Sequence, residues 1–203
     1  MNIKIFILII ILILIIILKF KIQYINFKVI FPFISTLIYS KISFQLKLDN
    51  YKTYDDYLNF LNSKKRKGLK KIFDNEMKSI KIIPGTFKKI YIKYLWNFYN
   101  EKYKNNFYKF LNIVLSIIVF TTNELKYWEY YNNETNEFMG WSSYFIIDNV
   151  YYDYISSPNK FNISIIGINS IKFCIENNIS IIDFGPTNGK LKMSKFNADI
   201  VEF

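Results

Sequence analysis

Apolar residues recur with helical spacing in the segment that follows Thr53. A helix that packs against a core needs an apolar residue every three or four positions. Thr53 and Asp56 match the capping box that begins many helices, so the pattern predicts one helix from residue 54 to residue 77. The apolar positions are Tyr54, Tyr57, Leu58, Leu61, Leu69, Ile72, Phe73 and Met77.

A second apolar helical face begins after a predicted turn at Pro84 and Gly85. Thr86 is suited to cap this helix, whose apolar positions fall within residues 87–98. Residues 107–111 predict a short third helix. The helical spacing then gives way to a continuous apolar run at residues 113–121, which is typical of a buried strand.

The next segment alternates apolar and polar residues with a period of two. Three stretches follow this pattern, at residues 127–131, 138–147 and 150–155. Polar turns at residues 132–133 and 148–149 separate them. Short turns between alternating stretches predict an antiparallel meander.

The C-terminal part adds one helix and one strand. Residues 162–178 have helical spacing and end in an asparagine pair suited to a left-handed cap. Residues 179–184 form a short apolar strand with a single acidic residue, Asp183. This order of elements predicts a mixed α/β fold with a largely antiparallel central sheet.

The first 21 residues predict a membrane segment. Residues 5–18 are all Ile, Leu or Phe, and lysines at both ends extend the span to residues 3–20. A cleaved signal peptide is the alternative, but lysines rather than small residues follow the run. The excess of lysines after the run orients the remaining chain toward the cytosol. Residues 22–45 form a connecting apolar segment, and residues 46–203 form one domain.

The net charge of +11 is weak support for nucleic-acid binding, because lysine is abundant throughout this chain of 203 residues. The positive charge is densest at residues 64–71. That segment is open to three interpretations: a solvated helix face, contact with anionic lipid, or contact with RNA phosphates.

Two residue types restrict the chemistry. The chain has no histidine, which excludes a Ser-His-Asp triad, a Cys-His dyad and any metal site that uses histidine. Its single cysteine, Cys174, excludes an intrachain disulfide and a cysteine metal cluster. Cys174 falls on the apolar face of the predicted helix, so we expect a buried thiol.

Several short motifs resemble the C-terminal half of the FemAB-like and BioF2-like acyltransferases, a branch of the GNAT superfamily. The most specific is a strand that ends in Asp-x-Gly, followed by a turn, a lysine and an aromatic-Gly-Ala-like element, in which Asn197 stands where glycine is frequent. The matching residues are Gly140 to Tyr144, Tyr151 to Tyr154, Asp183 to Asn188, Lys192 and Phe196 to Ala198, with a basic helix at Lys64 to Lys67 upstream.

The resemblance implies a GNAT-like fold and transfer of an acyl group from a thioester or ester donor to an amine acceptor. The implied donor is acyl-CoA, with aminoacyl-tRNA as the alternative. Many GNAT enzymes cradle coenzyme A in a glycine-rich turn, and residues 159–167 lack that glycine pattern.

The motif residues supply the candidate site, for which no metal is expected. Asp183 is a candidate general base, or a cap for the turn that follows it, and Tyr152 is a second catalytic candidate. Lys192 is the first candidate for binding an anionic donor, with Lys190 and Lys195 next. The turn residues Gly185 and Asn188 complete the donor site. The alternative for the lysines is simple solvation of a surface turn.

Two main functions follow. The first is an N-acyltransferase that needs no covalent intermediate, which is compatible with the absence of histidine. The second is a catalytically inactive, membrane-associated binding protein of the same fold. Binding of an acyl donor discriminates between them. A weaker third possibility is RNA contact through residues 64–71.

Overall fold

The computed structural model describes residues 42–86, 88, 91, 125–158, 160–185 and 189–202. The predicted membrane segment, the predicted strand at 113–121 and the short helix at 107–111 lie outside the described residues. So does the predicted helix at 87–98, apart from Lys88 and Tyr91. Within the described ranges, no helix is long and apolar enough to cross a membrane.

The described strands form one seven-stranded sheet in the order β2-β3-β4-β5-β6-β1-β7. Neighbouring strands are antiparallel except β5 and β6, which are parallel. The predicted mixed α/β fold with a mostly antiparallel sheet is therefore confirmed. The strands are β1 (Ile42–Lys47), β2 (Ile80–Gly85), β3 (Lys126–Asn132), β4 (Phe138–Ile147), β5 (Val150–Pro158), β6 (Ile181–Asp183) and β7 (Asp199–Glu202).

The predicted meander is confirmed as β3, β4 and β5. The turn between β4 and β5 places Asp148 and Asn149 at φ 49° and 62°. Two consecutive positive φ angles match the twist of a hairpin, and Asp and Asn tolerate them better than most residues do. The local sequence was therefore sufficient to locate this hairpin.

Two helices replace the single helix predicted from residue 54 to residue 77. They are α1 (Tyr54–Phe60) and α2 (Ser63–Asn75), and the capping box at Thr53 and Asp56 is confirmed at the start of α1. Leu61 is extended, with ψ 146°, and the Asn62 side chain accepts a hydrogen bond from the Lys65 N–H. Asn62 therefore caps the start of a new helix, because its side chain accepts a hydrogen bond from an N–H group that has no backbone partner within the helix.

The predicted turn at Pro84 and Gly85 is wrong, because both residues belong to β2. They pair with Trp128 and Tyr127 of β3. Among the described strands, β2 lies at the edge of the sheet and pairs on one side only, a position in which proline is tolerated.

The C-terminal part contains α3 (Ser164–Glu176), β6, α4 (Gly189–Phe196) and β7. The predicted left-handed cap of α3 is confirmed at Asn178, whose φ is 54°. Strand β1 was not predicted, although it lies between β6 and β7. Within the described residues, β1 therefore begins at Ile42, in the segment that the sequence assigned to a connection.

One hydrophobic core joins the four helices to β1, β5 and β6. Tyr57 of α1, Leu69 of α2 and Ile168 of α3 are at most 1% exposed, and Phe196 of α4 is 3% exposed. Cys174 is fully buried in the same core, as predicted.

Candidate functional site

The two parallel strands β5 and β6 pair over three residues and then diverge. Val150 is opposite Ile181, Tyr151 is opposite Ile182, and Tyr152 is opposite Asp183. Strand β5 continues to Pro158, whereas β6 ends at Asp183. We call the region beyond the last pair, residues 153–158 and 184–185, the strand fork.

A β-bulge lies at the fork. Ser143 of β4 is opposite Ile155 of β5, but the next β4 residue, Tyr144, is opposite Asp153. Strand β5 therefore has one more residue than β4 over this stretch. A bulge re-aims side chains and bends a strand, and bulges are frequent beside active sites.

Asp183 is almost fully buried, at 2% exposed, and its carboxylate accepts three hydrogen bonds. The donors are Ser43 Oγ, Gln45 Nε2 at 2.9 Å and the Gly185 N–H at 2.7 Å. Gly185 has φ 69°, a left-handed conformation that favours glycine. The bond to Gly185 is the turn cap that the sequence proposed, and the other two bonds tie β6 to β1.

Tyr152 lies beside Asp183 as its partner in the parallel register, so the structure brings the two predicted catalytic residues together. The Tyr152 ring stacks on Phe145 at a centroid distance of 4.9 Å. Burial raises the pKa of Tyr152, and the charges of Asp183 and Asp148 raise it further. The hydroxyl therefore stays protonated near neutral pH and acts as a hydrogen-bond donor.

Lys192 lies inside the protein, at 7% exposed, and is not a solvated surface lysine. Its ammonium donates to the carbonyl oxygens of Phe184 and Gly185, the latter at 2.9 Å. It also lies 5.7 Å from the centroid of the Phe44 ring. Burial lowers the pKa of Lys192 to about 8, although Asp153 and Asp183 oppose this shift.

The described lysines among the other predicted donor-binding candidates lie at the two ends of α4. Lys190 is exposed in the first turn of α4. The Lys195 ammonium donates to Ser164 Oγ at 2.7 Å, which connects α4 to the start of α3. Asn188 lies outside the described residues.

The sequence analysis did not select Asp153, the residue of β5 that follows Tyr152. Asp153 is partly buried, and in the described part of the chain its carboxyl makes no hydrogen bond and no ion pair. Burial raises the pKa of Asp153 to about 6, Lys192 opposes this shift and Asp183 reinforces it. The sequence signal that could have identified Asp153 is its position as the single acidic residue among the aromatic residues of 151–154.

Strand alternation places Asp153 on the face of the sheet opposite to Tyr152. This is the face of Tyr151, whose hydroxyl accepts a hydrogen bond from Ser170 of α3 at 3.2 Å. Cys174 of α3 also lies near Asp153, and burial raises the pKa of its thiol, with Asp153 reinforcing the shift. Cys174 is therefore an unreactive thiol rather than a nucleophile.

The C-terminal end of the motif, Phe196 and Asn197, is connected to α1 and α2 by hydrogen bonds. Asn197 has φ 58°, which explains why glycine is frequent at this position, and it accepts a hydrogen bond from Lys65 at 2.7 Å. Phe196 stacks on Phe184 at 5.6 Å, and its carbonyl accepts a hydrogen bond from the Tyr57 hydroxyl at 2.9 Å. The side chains of Lys64, Lys67, Lys70 and Lys71 are exposed.

Comparison with known proteins gave structural similarity without sequence similarity. No protein-family profile matches the chain, and no curated protein sequence matches it. The structure of FemX is similar with a TM-score of 0.51 and 10% identity, over 81% of this chain and 60% of FemX. This chain therefore spans about three fifths of the length of FemX.

Two other solved structures have lower scores. L-PGS from Bacillus licheniformis has a TM-score of 0.45 and 12% identity, over 73% of this chain and 48% of L-PGS. A conserved protein of unknown function from Staphylococcus epidermidis has a TM-score of 0.41 and 12% identity, over 86% of this chain and 63% of its own. The likeness to FemX shows the fold alone: a mixed α/β fold with a mostly antiparallel sheet, which is consistent with the GNAT-like fold that the resemblance to the FemAB-like acyltransferases implied.

Proposed function

We propose that this chain transfers an acyl or aminoacyl group from a thioester or ester donor to an amine at the strand fork. The observation that carries the proposal is the short parallel pairing of β5 and β6, whose last pair places Tyr152 beside Asp183. Beyond Tyr152, the edge of β5 that faces away from β4 has no strand neighbour among the described residues. An open strand edge offers backbone N–H groups that can polarise an acyl carbonyl.

The proposed reaction is a direct attack. The amine nitrogen forms a bond to the acyl carbon, and the bond from that carbon to the donor sulfur or oxygen then breaks. The amine loses one proton, and the leaving group gains one. Tyr152 is assigned a hydrogen bond to the leaving group, since its hydroxyl stays protonated near neutral pH. No covalent enzyme intermediate is required.

Asp183 is assigned a positioning role in this proposal. Its three hydrogen bonds stabilise the carboxylate and connect β1, β6 and the turn at Gly185. Lys192 supports the same turn through the carbonyl oxygens of Phe184 and Gly185. Loss of either side chain would move the turn, and small displacements in a site have large effects on rate.

The donor is proposed to bind at the turn that begins α4. Lys190 is exposed there, and an ammonium beside backbone N–H groups is a favourable partner for a phosphate. Gly185 and Asn188 belong to the same proposed donor site. Acyl-CoA is the proposed donor, and aminoacyl-tRNA is the alternative that the experiment must separate from it.

The test is a binding titration of the full chain with acetyl-CoA, longer acyl-CoAs and desulfo-CoA. We expect saturable binding that Lys190→Ala weakens about tenfold, the change that corresponds to about 1.4 kcal/mol. Lys81→Ala is the matched control, because Lys81 is an exposed lysine on β2 at the other end of the sheet.

Three outcomes are informative. Binding together with transfer to an amine supports the proposal. Binding without transfer to any amine would favour the inactive binding protein. If the folded chain binds no acyl-CoA, that donor is excluded, and binding of aminoacyl-tRNA is the measurement that follows.

The location of the protein is part of the same proposal. Residues 3–20 are proposed to anchor the chain in a membrane, with residues 46–203 in the cytosol. Resistance to carbonate extraction, combined with protease access to the domain from the cytosolic side, would support this arrangement. Release by carbonate would contradict it.

A further inference from the structure

We infer that Asp153 accepts the proton of the attacking amine at the strand fork. The inference rests on the proposed function, because it concerns the same site. It assigns the role of base to a residue other than Asp183.

The contacts of the two carboxylates support this assignment. Both oxygens of Asp183 accept hydrogen bonds, from Ser43 and Gly185 on one oxygen and from Gln45 on the other. The oxygens of Asp183 are therefore already occupied by donors of the protein itself. Asp153 has no hydrogen bond within the described residues, so its oxygens are available to a substrate amine.

The position of Asp153 also fits the role. It is the first residue of β5 beyond the pairing with β6, and it is partly exposed, which leaves a path for an acceptor. It takes part in the register shift between β4 and β5, opposite Tyr144. The acyl carbonyl and the base would therefore meet at one bulged stretch of strand.

The charged and titratable groups around Asp153 come from several elements. Lys192 is the cation among them, and within the described residues its ammonium forms no ion pair with the Asp153 carboxyl. Lys192 can therefore bias the charge of Asp153 without occupying its oxygens. The neighbours are Lys192 of α4, Asp183 of β6, Tyr151 of β5, Tyr130 of β3 and Cys174 of α3.

The proton step balances as follows. An alkylammonium acceptor transfers one proton to the Asp153 carboxylate, which gives a neutral amine and a protonated carboxyl. The amine attacks the acyl carbon and the bond from that carbon to the donor sulfur or oxygen breaks. The nitrogen loses its second proton, which passes through water to the leaving group, and Asp153 returns its proton to solvent.

A defined pH range follows from this chemistry. Asp153 accepts a proton only when ionised, so transfer should rise with pH through about 6. Above that pH the transfer rate should level off, because Asp153 is then ionised. The midpoint of the rise belongs to the coupled pair of Asp153 and Lys192.

The test compares two acceptors in the wild-type full chain and in Asp153→Asn, with acetyl-CoA as the donor. For a primary alkylamine, which is mostly protonated at neutral pH, we expect Asp153→Asn to reduce the transfer rate by about 10² to 10⁴. For hydroxylamine, which is mostly neutral, we expect a much smaller loss. Binding of acetyl-CoA should not change. Asp49→Asn is the matched control, because Asp49 is exposed in a turn outside the site.

The outcomes separate the two proposals. If the wild-type chain binds acetyl-CoA but transfers to neither amine, the proposed transfer is contradicted in favour of the inactive binding protein. If the wild-type chain transfers and Asp153→Asn transfers equally well, only the role of Asp153 is contradicted. An equal loss for both acceptors would assign Asp153 to structure rather than to proton transfer.

A second measurement does not depend on activity. A carboxyl-carbon NMR titration of the wild-type chain should find Asp153 titrating near pH 6. In Lys192→Met the midpoint should move upward, because the nearby positive charge is removed. A wild-type midpoint in the ordinary aspartate range would overturn the inference by itself, even if Lys192→Met does not fold.

Discussion

Two regions of the sheet each place a buried or partly buried carboxylate near a lysine, but they complete its hydrogen bonds differently. At the β2–β3 edge, Glu129 is 2% exposed and accepts hydrogen bonds from Lys88 at 2.6 Å and from the hydroxyls of Tyr91 and Tyr131 at 2.5 Å each. At the strand fork, Asp153 has no such donor within the described residues. Both carboxylates are at least partly buried, but within the described residues only Glu129 accepts hydrogen bonds.

The difference reverses the sign of the pKa shift. Burial opposes the charge of Glu129, but the hydrogen bonds from Lys88, Tyr131 and Tyr91 outweigh it and lower the pKa. At Asp153 burial prevails, and the pKa rises to about 6. Burial alone therefore does not decide whether a carboxylate stabilises a fold or remains available for chemistry.

Strand β2 is shaped around Glu129. A Cβ atom on Gly85 would lie 2.6 Å from Glu129 Cγ, which is too close for any side chain without rearrangement. Tyr91 also stacks on Trp141 at 4.5 Å. We conclude that Glu129 connects the segment of Lys88 and Tyr91 to the sheet, and that its role is structural.

The largest effect is expected from Glu129→Ala, which removes the carboxylate from its three donors. We expect the free energy of unfolding to fall by about 3 kcal/mol, the lower end for a broken buried pair, because Lys88 stays half-exposed. Denaturant unfolding measures this loss. Glu137→Ala is the control, since Glu137 pairs with Lys160 on the surface. An equal loss of unfolding free energy in Glu129→Ala and Glu137→Ala would contradict a structural role of Glu129 that the exposed Glu137 lacks.

Asp153→Asn should have the opposite effect on stability, and only at higher pH. A folded-state pKa above the unfolded value means that stability is lost as pH rises from about 4 to about 6. The variant should therefore be more stable than wild type at pH 7, by up to about 3 kcal/mol, and equal to it near pH 3. Thermal unfolding at both pH values, with Asp49→Asn in parallel, tests this expectation.

Tyr91→Phe should weaken the Glu129 region by less than the loss of the carboxylate itself. One hydrogen bond to a charged acceptor contributes about 1.5 to 3 kcal/mol. The variant should also raise the pKa of Glu129, so that acid unfolding begins at a higher pH. Tyr54→Phe is the matched control, because the buried Tyr54 hydroxyl has no hydrogen-bond partner in the described part of the chain. A loss as large in Tyr54→Phe would exclude the hydrogen-bond explanation.

The smallest effect is expected at the exposed ion pair of Lys160 and Glu137, whose side chains are 55% and 57% exposed. Lys160→Met should change the free energy of unfolding by less than about 1 kcal/mol, and the change should disappear in high salt. Urea unfolding at two salt concentrations measures both. A salt-independent loss similar to that of Glu129→Ala would show that burial does not separate the two pairs.

Local signals in the sequence located several elements correctly. The capping box at Thr53, the hairpin at Asp148 and Asn149, and the left-handed cap at Asn178 each depend on residues close in the chain. Longer periodic patterns were less reliable where two elements share one apolar stripe. The helix from residue 54 was therefore predicted without its break at Leu61.

Other features depended on partners that the local pattern does not name. Pro84 is typical of a turn, but it belongs to β2 because it pairs with Trp128 of β3. Strand β1 reads as a connection, because its partners β6 and β7 lie at the other end of the chain. A strand is stabilised by pairing with its neighbours, and its own residues do not identify those neighbours. Neither strand was therefore predicted.

The sequence by itself determined the α/β order of the body, the exclusion of histidine chemistry, the buried thiol at Cys174, and the resemblance that pointed to the fold. It also brought Asp183 and Tyr152 forward as a pair. Only the tertiary structure decided which carboxylate is satisfied, because the donors to Asp183 include Ser43, 140 residues away. Whether a carboxylate is a structural acceptor or an available base depends on such distant groups, and these meet only when the chain is folded.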